Sequence, residues 1–247
     1  MISTVKPRVF IGMLYSGEAE FLTACQAINQ QENVTIEHEI IRNLPELQAH
    51  QVLWDKWNAV KHLFDLFIKI DADTILINKH AVYDIYQLFA ADSEVTGAQI
   101  LLHDYYTDRL IAGLNCFTKD VVFRQTKNHL LCDRVDTNHK KVLKGSAVEH
   151  LAPIGYHCQN PHPVQAFRFG FHRALKKQHQ TLSQLAHAWL KHEDDARMWA
   201  LAGAMSVSMW NKRFHNYTDA KFQTLFERFK TELNKVTKIK KFAQQII

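Results

Sequence analysis

Between residues 8 and 89 the hydrophobic period switches back and forth, and this alternation restricts the fold more than any other feature of the chain. After Pro7, RVFIGMLY is a short apolar run closed by Ser16-Gly17, the pattern of a buried strand and a turn. Phe21, Cys25 and Ile28 follow at helical spacing. VTIEHEII then sets Val34, Ile36, His38 and Ile40 against Thr35, Glu37 and Glu39, the period of a strand with one wetter face. Leu53, Trp57, Val60 and Phe64 return to helical spacing and mark one amphipathic face. LFIKI is too short for a helix and ends at Asp71, and Val82, Ile85, Tyr86 and Phe89 mark another helix. Strand and helix alternating three times predict an α/β domain whose central mixed, mainly parallel sheet is flanked by helices.

Further along, VTGAQILL and LIAGLNCF read as strands, and Thr118 is suited to cap a helix starting at KDVVF. Residues 125–147 carry little periodicity and read as a long loop or short helices. VEHLAPIGYHCQNPHP reads as one more strand followed by a proline-bounded loop. From about Gln165 the chain reads as helical. One segment is expected around Leu182 to Trp210, and a last one has Phe222, Phe226, Phe229, Leu233 and Val236 on one face. The expected organisation is a catalytic domain over 1–164 with a helical extension over 165–247 packed on it.

Composition narrows the class. No apolar run approaches the roughly 18 residues a membrane-spanning helix needs, so neither a signal peptide nor a membrane anchor is expected. The cysteines, Cys25, Cys116, Cys132 and Cys158, form no CxxC pair, which suits a reducing cytoplasm. The formal charge is +5, and from Asp219 onward seven basic residues face three acids, so the C-terminal segment carries most of the excess. A nucleic-acid binder more often spreads a basic face over its main domain, and no nucleic-acid partner is expected. The basic terminal helix leaves two readings open. It is either a docked helix with exposed lysines, the commoner case, or a peripheral contact with the inner face of a membrane.

The third strand ends on two charges. In FIKIDADTILIN an extended backbone would turn Asp71 and Asp73 to one side and Ala72 to the other. Two carboxylates so close repel unless a cation lies between them or one is protonated. Hard oxygen ligands in pairs suit Mg²⁺ or Mn²⁺, which keep positions for water and for a substrate's phosphates. A solvated strand end would also explain the triplet. Ligands of such sheets bind beyond the carboxyl ends of the strands, which is where this pair falls.

The βαβαβ order, Asn58 of KWNAVKHLF and FIKIDADT resemble the nucleotide-binding half of the GT-A-fold glycosyltransferases, over roughly residues 8–120. In that family a DxD motif holds a divalent metal, Mn²⁺ or Mg²⁺, against the diphosphate of a nucleotide sugar. The resemblance implies a Rossmann-type sheet and transfer of a sugar from a UDP- or GDP-sugar to a hydroxyl of a glycan or lipid-linked saccharide. By position, Asp71 would lie near the ribose and Asp73 would be the main metal ligand, with Ala72 between them and Asn58 on the preceding helix also at the donor. Tyr15, Ser16 and Glu18 would lie near the nucleoside. Asn43 stands where many members have an acid that reads the base, which leaves the base open.

The resemblance also implies a metal ligand after the last core strand. His157 of GYHCQNPHP fills that position, with His162 the weaker choice, and a zinc site from His157, Cys158 and His162 lacks a fourth ligand. An inverting transfer needs a carboxylate base, for which Asp136 and then Asp133 in LLCDRVDTN are the candidates, with Glu149 as an alternative. Arg168, Arg173, Lys176 and Lys177 could meet a phosphate or form a solvated helix face, and Glu193 to Asp195 read as another solvated face. Two rivals remain. A haloacid-dehalogenase-like phosphatase would use Asp71 as nucleophile, but it wants Thr or Val where Ile75 stands and has its motif on the first strand. An inert binding protein of the same fold would leave the aspartates without metal.

Overall fold

The computed structural model describes residues 5–123, 127, 131–132, 140–207, 220–232 and 234–247. Asp133, Asp136, Trp210 and Leu233 lie outside the described residues. The chain forms two compact units, residues 1–103 with 110–159, and residues 104–109 with 160–247.

Among the described residues the first unit is built on eight strands: β1 (Arg8–Tyr15), β2 (Thr35–Arg42), β3 (Leu66–Asp71), β4 (Thr74–Leu76), β5 (Val95–Asp104), β6 (Arg109–Phe117), β7 (Lys141–Leu143) and β8 (Gly155–His157). Their order is β2-β1-β3-β6-β5-β8-β4, with β7 beside β5. β1 runs parallel to both β2 and β3, and β7 parallel to β5. The pairs β3–β6 and β4–β8 are antiparallel. Helices α1 (Phe21–Asn29), α2 (Glu46–Val60) and α3 (Ala81–Ala90) complete this unit, which is the mixed α/β sheet flanked by helices that the alternating periods predict.

Two cores follow from the period of two along the central strands. Val9, Ile11, Met13, Leu66, Ile68 and Ile70 share one buried cluster with Ala24, Ile28, Val82 and Ile85 of α1 and α3. Phe10 and Phe67 point into the other, with Leu53, Trp54 and Trp57 of α2, where the Trp57 and Phe67 rings stack at 4.9 Å. Burying an aromatic side chain of this kind contributes about 1.5–3 kcal/mol. Gly12 lies on the α2 side because a Cβ there would come within 2.3 Å of Leu53 Cδ1. α2 thereby packs close on the middle of β1, and its Trp57 meets Phe10 and Phe67 near the amino ends of β1 and β3.

Four sequence expectations change. The run from Leu66 to Leu76 is two strands with a turn at Ala72 and Asp73, so the aspartates do not share one extended segment. Two charges at the end of a buried strand favour leaving the sheet there. Thr118 starts a turn, with the Val121 N–H donating to its carbonyl at 3.2 Å, and not a helix over the described residues. The stretch 125–147 includes the short strand β7 as well as a 3₁₀ turn at Gly145–Ala147. The segment from Leu182 onward is broken, because Asp194 caps a new helix with its side chain accepting from the Arg197 N–H.

The second unit comprises α4 (Pro163–Leu175), α5 (His179–His192), α6 (Asp195–Met205), α7 (Ala220–Lys230) and α8 (Lys235–Ile246). α4 and α6 meet backbone to backbone. A Cβ on Gly170 would fall 1.6 Å from the Ala200 carbonyl oxygen, and one on Gly203 would fall 1.9 Å from that of Phe167. Among the described residues no helix is long and apolar enough to cross a membrane. In α8, Ile239 and Ala243 are fully buried, so its apolar stripe is used inside this unit.

Candidate functional site

A group of the first unit's polar side chains lies where β1, β2 and β3 end. Parallel pairing sets Leu14 beside Asp71, and the Ala72 N–H donates to the Leu14 carbonyl at 3.0 Å. Just past β1, Ser16 donates from its N–H and its hydroxyl to the two Glu18 carboxylate oxygens, both at 2.6 Å. Past β2, Asn43 adopts a φ of 53° and its N–H donates to the Tyr15 carbonyl at 2.8 Å. Tyr15 packs on Phe21 at 4.3 Å, and the Arg42 guanidinium covers both rings.

The two aspartates have different surroundings. Asp71 accepts from the Lys69 ammonium at 2.6 Å, and Lys69 is nearly buried whereas 44% of the Asp71 side chain is open to solvent. Burial works to raise the Asp71 carboxyl, but the Lys69 charge and hydrogen bond prevail, with smaller help from His50 and His157, and hold it below the usual carboxylate range. Asp73 instead lies against β8. The antiparallel register that sets Thr74 opposite His157 continues by one residue, so Asp73 faces Cys158 and its carbonyl accepts the Cys158 N–H at 2.8 Å. Cys158 has a φ of 54°, uncommon for a residue with a Cβ, as the chain leaves the strand.

Asp73, His157 and Cys158 thus offer one ligand atom each within 4.8 Å of one another. Cys158 Sγ lies 3.1 Å from Asp73 Oδ2 and 3.6 Å from His157 Nε2, and His157 Nε2 lies 3.7 Å from Asp73 Oδ2. Asp73 Oδ1 is buried and finds no hydrogen-bond donor among the described residues. A buried carboxylate oxygen without a donor is costly. A cation beside it would satisfy it, and on the Oδ2 side Asp73, His157 and Cys158 bring three ligand atoms together. Glu18 senses the same charge: burial and then the Asp73 carboxylate push its carboxyl up, against the two Ser16 hydrogen bonds.

Of the residues singled out from sequence, Tyr15, Ser16, Glu18, Asn43, Asp71, Ala72 and Asp73 lie on the ends of β1, β2 and β3 or in the turns after them, and His157 stands 3.7 Å from Asp73. Asn58 is on the exposed face of α2. The α2 residue whose charge reaches Asp71 is His50, which the sequence reading passed over along with Lys69. Lys69 was legible, because a lysine two residues before Asp71 in a strand shares its face. His162 caps α4, accepting from the Gln165 N–H at 3.1 Å. Glu149 sits exposed in a 3₁₀ turn.

Several charges of the second unit have internal partners. Arg173 donates to Gln178 at 2.9 Å and stacks over Phe169, and Arg168 covers the Phe222 ring. Asp194 does not lie on a solvated face. It accepts from the Tyr105 hydroxyl at 2.8 Å and pairs with buried Arg197 at 2.6 Å. Burial and this bond to Asp194 raise the Tyr105 phenol to about 12.

No protein-family model matches the sequence, and no curated protein matches it either. Among solved structures the chain is similar to the mannosyltransferase PcManGT from Pyrobaculum calidifontis, solved in complex with GDP-Man and Mn²⁺, at 11% identity and a TM-score of 0.40, over 98% of this chain and 86% of that one.

Proposed function

We propose that the chain is a divalent-metal-dependent glycosyltransferase that moves a sugar from a UDP- or GDP-sugar to a hydroxyl of a surface glycan or lipid-linked saccharide. The observation that carries this reading is Asp73 just past the carboxyl end of a parallel strand pair, with Oδ2 3.7 Å from His157 Nε2 and Oδ1 buried without a donor among the described residues. The motif and strand order that resemble GT-A enzymes supply the class of reaction.

In this reading Asp73 and His157 hold Mn²⁺ or Mg²⁺, which when bound neutralises charge on the leaving nucleoside diphosphate. Asp71, fixed by Lys69, meets the ribose, and Lys69 supplies positive potential at the strand ends. Tyr15, Ser16, Glu18 and Asn43 form the nucleoside side of the pocket, with Asn58 retained from the resemblance. In an inverting transfer the acceptor oxygen attacks the anomeric carbon, the bond from that carbon to the diphosphate oxygen breaks, and Asp136, or else Asp133 or Glu149, takes the acceptor's proton. The phosphatase alternative is disfavoured because the motif follows β3, the third strand of the chain.

The test is thermal unfolding with UDP or GDP, with and without Mn²⁺ or Mg²⁺. A ligand at a hundred times its Kd raises stability by about 2.7 kcal/mol if it binds only the native state. Metal-dependent stabilisation by one nucleoside diphosphate is expected. No shift with either nucleotide under any metal condition would sink the proposal.

A further inference from the structure

The metal in the proposed reading is drawn to oxygen, yet the group around Asp73 includes a sulfur. We infer that Cys158 is a metal ligand, and that with Asp73 and His157 it forms a three-ligand site selective for a borderline ion such as Zn²⁺ or Co²⁺ over Mg²⁺. The inference rests on the proposed metal site and changes its chemistry.

Three observations carry it. The first is the spacing of the ligand atoms. Bonds of about 2.3 Å to sulfur and about 2.0–2.1 Å to nitrogen and oxygen, at tetrahedral angles, need ligand atoms roughly 3.3–3.6 Å apart. The sulfur–nitrogen separation, 3.6 Å, falls in that span, and the sulfur–oxygen and nitrogen–oxygen separations, 3.1 and 3.7 Å, lie just outside it. The second is the backbone. β4–β8 pairing and the left-handed φ of Cys158 fix the thiol opposite Asp73, with the Cys158 N–H bonded to the Asp73 carbonyl. The third is the donor set. Carboxylate alone suits Mg²⁺, whereas imidazole and thiolate favour zinc and its neighbours. Three protein ligands with one position left for water or substrate is also the usual form of a catalytic zinc site. As the metal–sulfur bond forms, the thiol releases its proton to solvent.

The experiment is a Co²⁺ titration of the metal-free full chain, followed by near-ultraviolet and visible absorption. A sulfur-to-cobalt charge-transfer band at one equivalent is expected in the wild type and should vanish in Cys158→Ser. Zn²⁺ should abolish the band at one equivalent, and Mg²⁺ should leave it at a hundredfold excess. If Cys158→Ser fails to fold, Asp73→Asn and His157→Gln replace it: each keeps the thiol and should weaken Co²⁺ binding at least tenfold. A band that persists in Cys158→Ser, or is indifferent to the other two changes, overturns the inference. So does Co²⁺ bound with no such band. If that second failure accompanies Mn²⁺-dependent stabilisation by a nucleotide, the transferase reading survives without Cys158. A Cys158-dependent band with no nucleotide effect would instead keep the site and sink the transferase.

Discussion

Asp194 in the second unit and Asp73 in the first are handled in opposite ways. In the second, Asp194 accepts from Tyr105, from the Arg197 backbone and from the Arg197 guanidinium, while Arg197 donates onward to the Tyr105 and Tyr106 carbonyls. Asp108 is likewise held by Lys191 and His192. Each of these acids meets donors from its own unit, which is what a structural role requires. In the first unit Asp73 is mostly buried and keeps an oxygen with no donor among the described residues, with the Glu18 carboxylate near enough to feel it. An oxygen left unsatisfied at that cost calls for a partner that the described residues do not supply.

Four experiments would break or sharpen this contrast. The largest effect is expected in the closed network. Arg197→Met takes the guanidinium from Asp194, which keeps Tyr105 and the residue-197 backbone N–H, and from the Tyr105 and Tyr106 carbonyls, and urea unfolding should show a loss of about 3 kcal/mol, the low end for breaking a buried pair. Asp73→Ala should do the reverse, changing stability by under about 0.5 kcal/mol because it also removes a repulsion. The same change should lower sugar transfer about 10²–10³-fold, as for loss of one transition-state charge contact. A transfer rate within threefold of wild type would place the metal elsewhere.

Asp71→Asn keeps an acceptor for Lys69 but strips the nearly buried ammonium of its counter-charge. We expect a loss of about 1–2 kcal/mol, discounted from the buried-pair range because Asp71 is partly open to solvent. The smallest effect concerns Asp108, whose carboxyl Lys191 and His192 hold down at about 2. Its pKa is depressed on folding, so its contribution is present above about 4, the ordinary aspartate value, and is lost as pH falls towards about 2. Solvent screening limits that contribution to well under about 1 kcal/mol. Asp108→Asn should therefore flatten the acid limb of the stability curve only slightly and leave stability at pH 7 lower by a similar amount.

Much of the first unit was legible because its signals are local. Val9, Ile11 and Met13 on one side and Phe10 on the other need only the period of two, and α2 needs only Leu53 and Trp57 at four residues' spacing. The breaks were harder to read. The turn at Ala72 and Asp73, and the new helix capped by Asp194, depend on where a charged group can find water or a partner. Periodicity carries no such information.

By itself the sequence determined that a third strand runs out at Asp71, with Asp73 two residues on, at the carboxyl edge of an α/β sheet, since strand order is a property of neighbouring residues. It also contained the Lys69–Asp71 pair, two positions apart on one strand face. Only the tertiary structure decided that the aspartates differ and that Asp73 meets Cys158, 85 residues away. The register of β4 against β8 does that, and a register between distant strands is set by what the whole sheet buries.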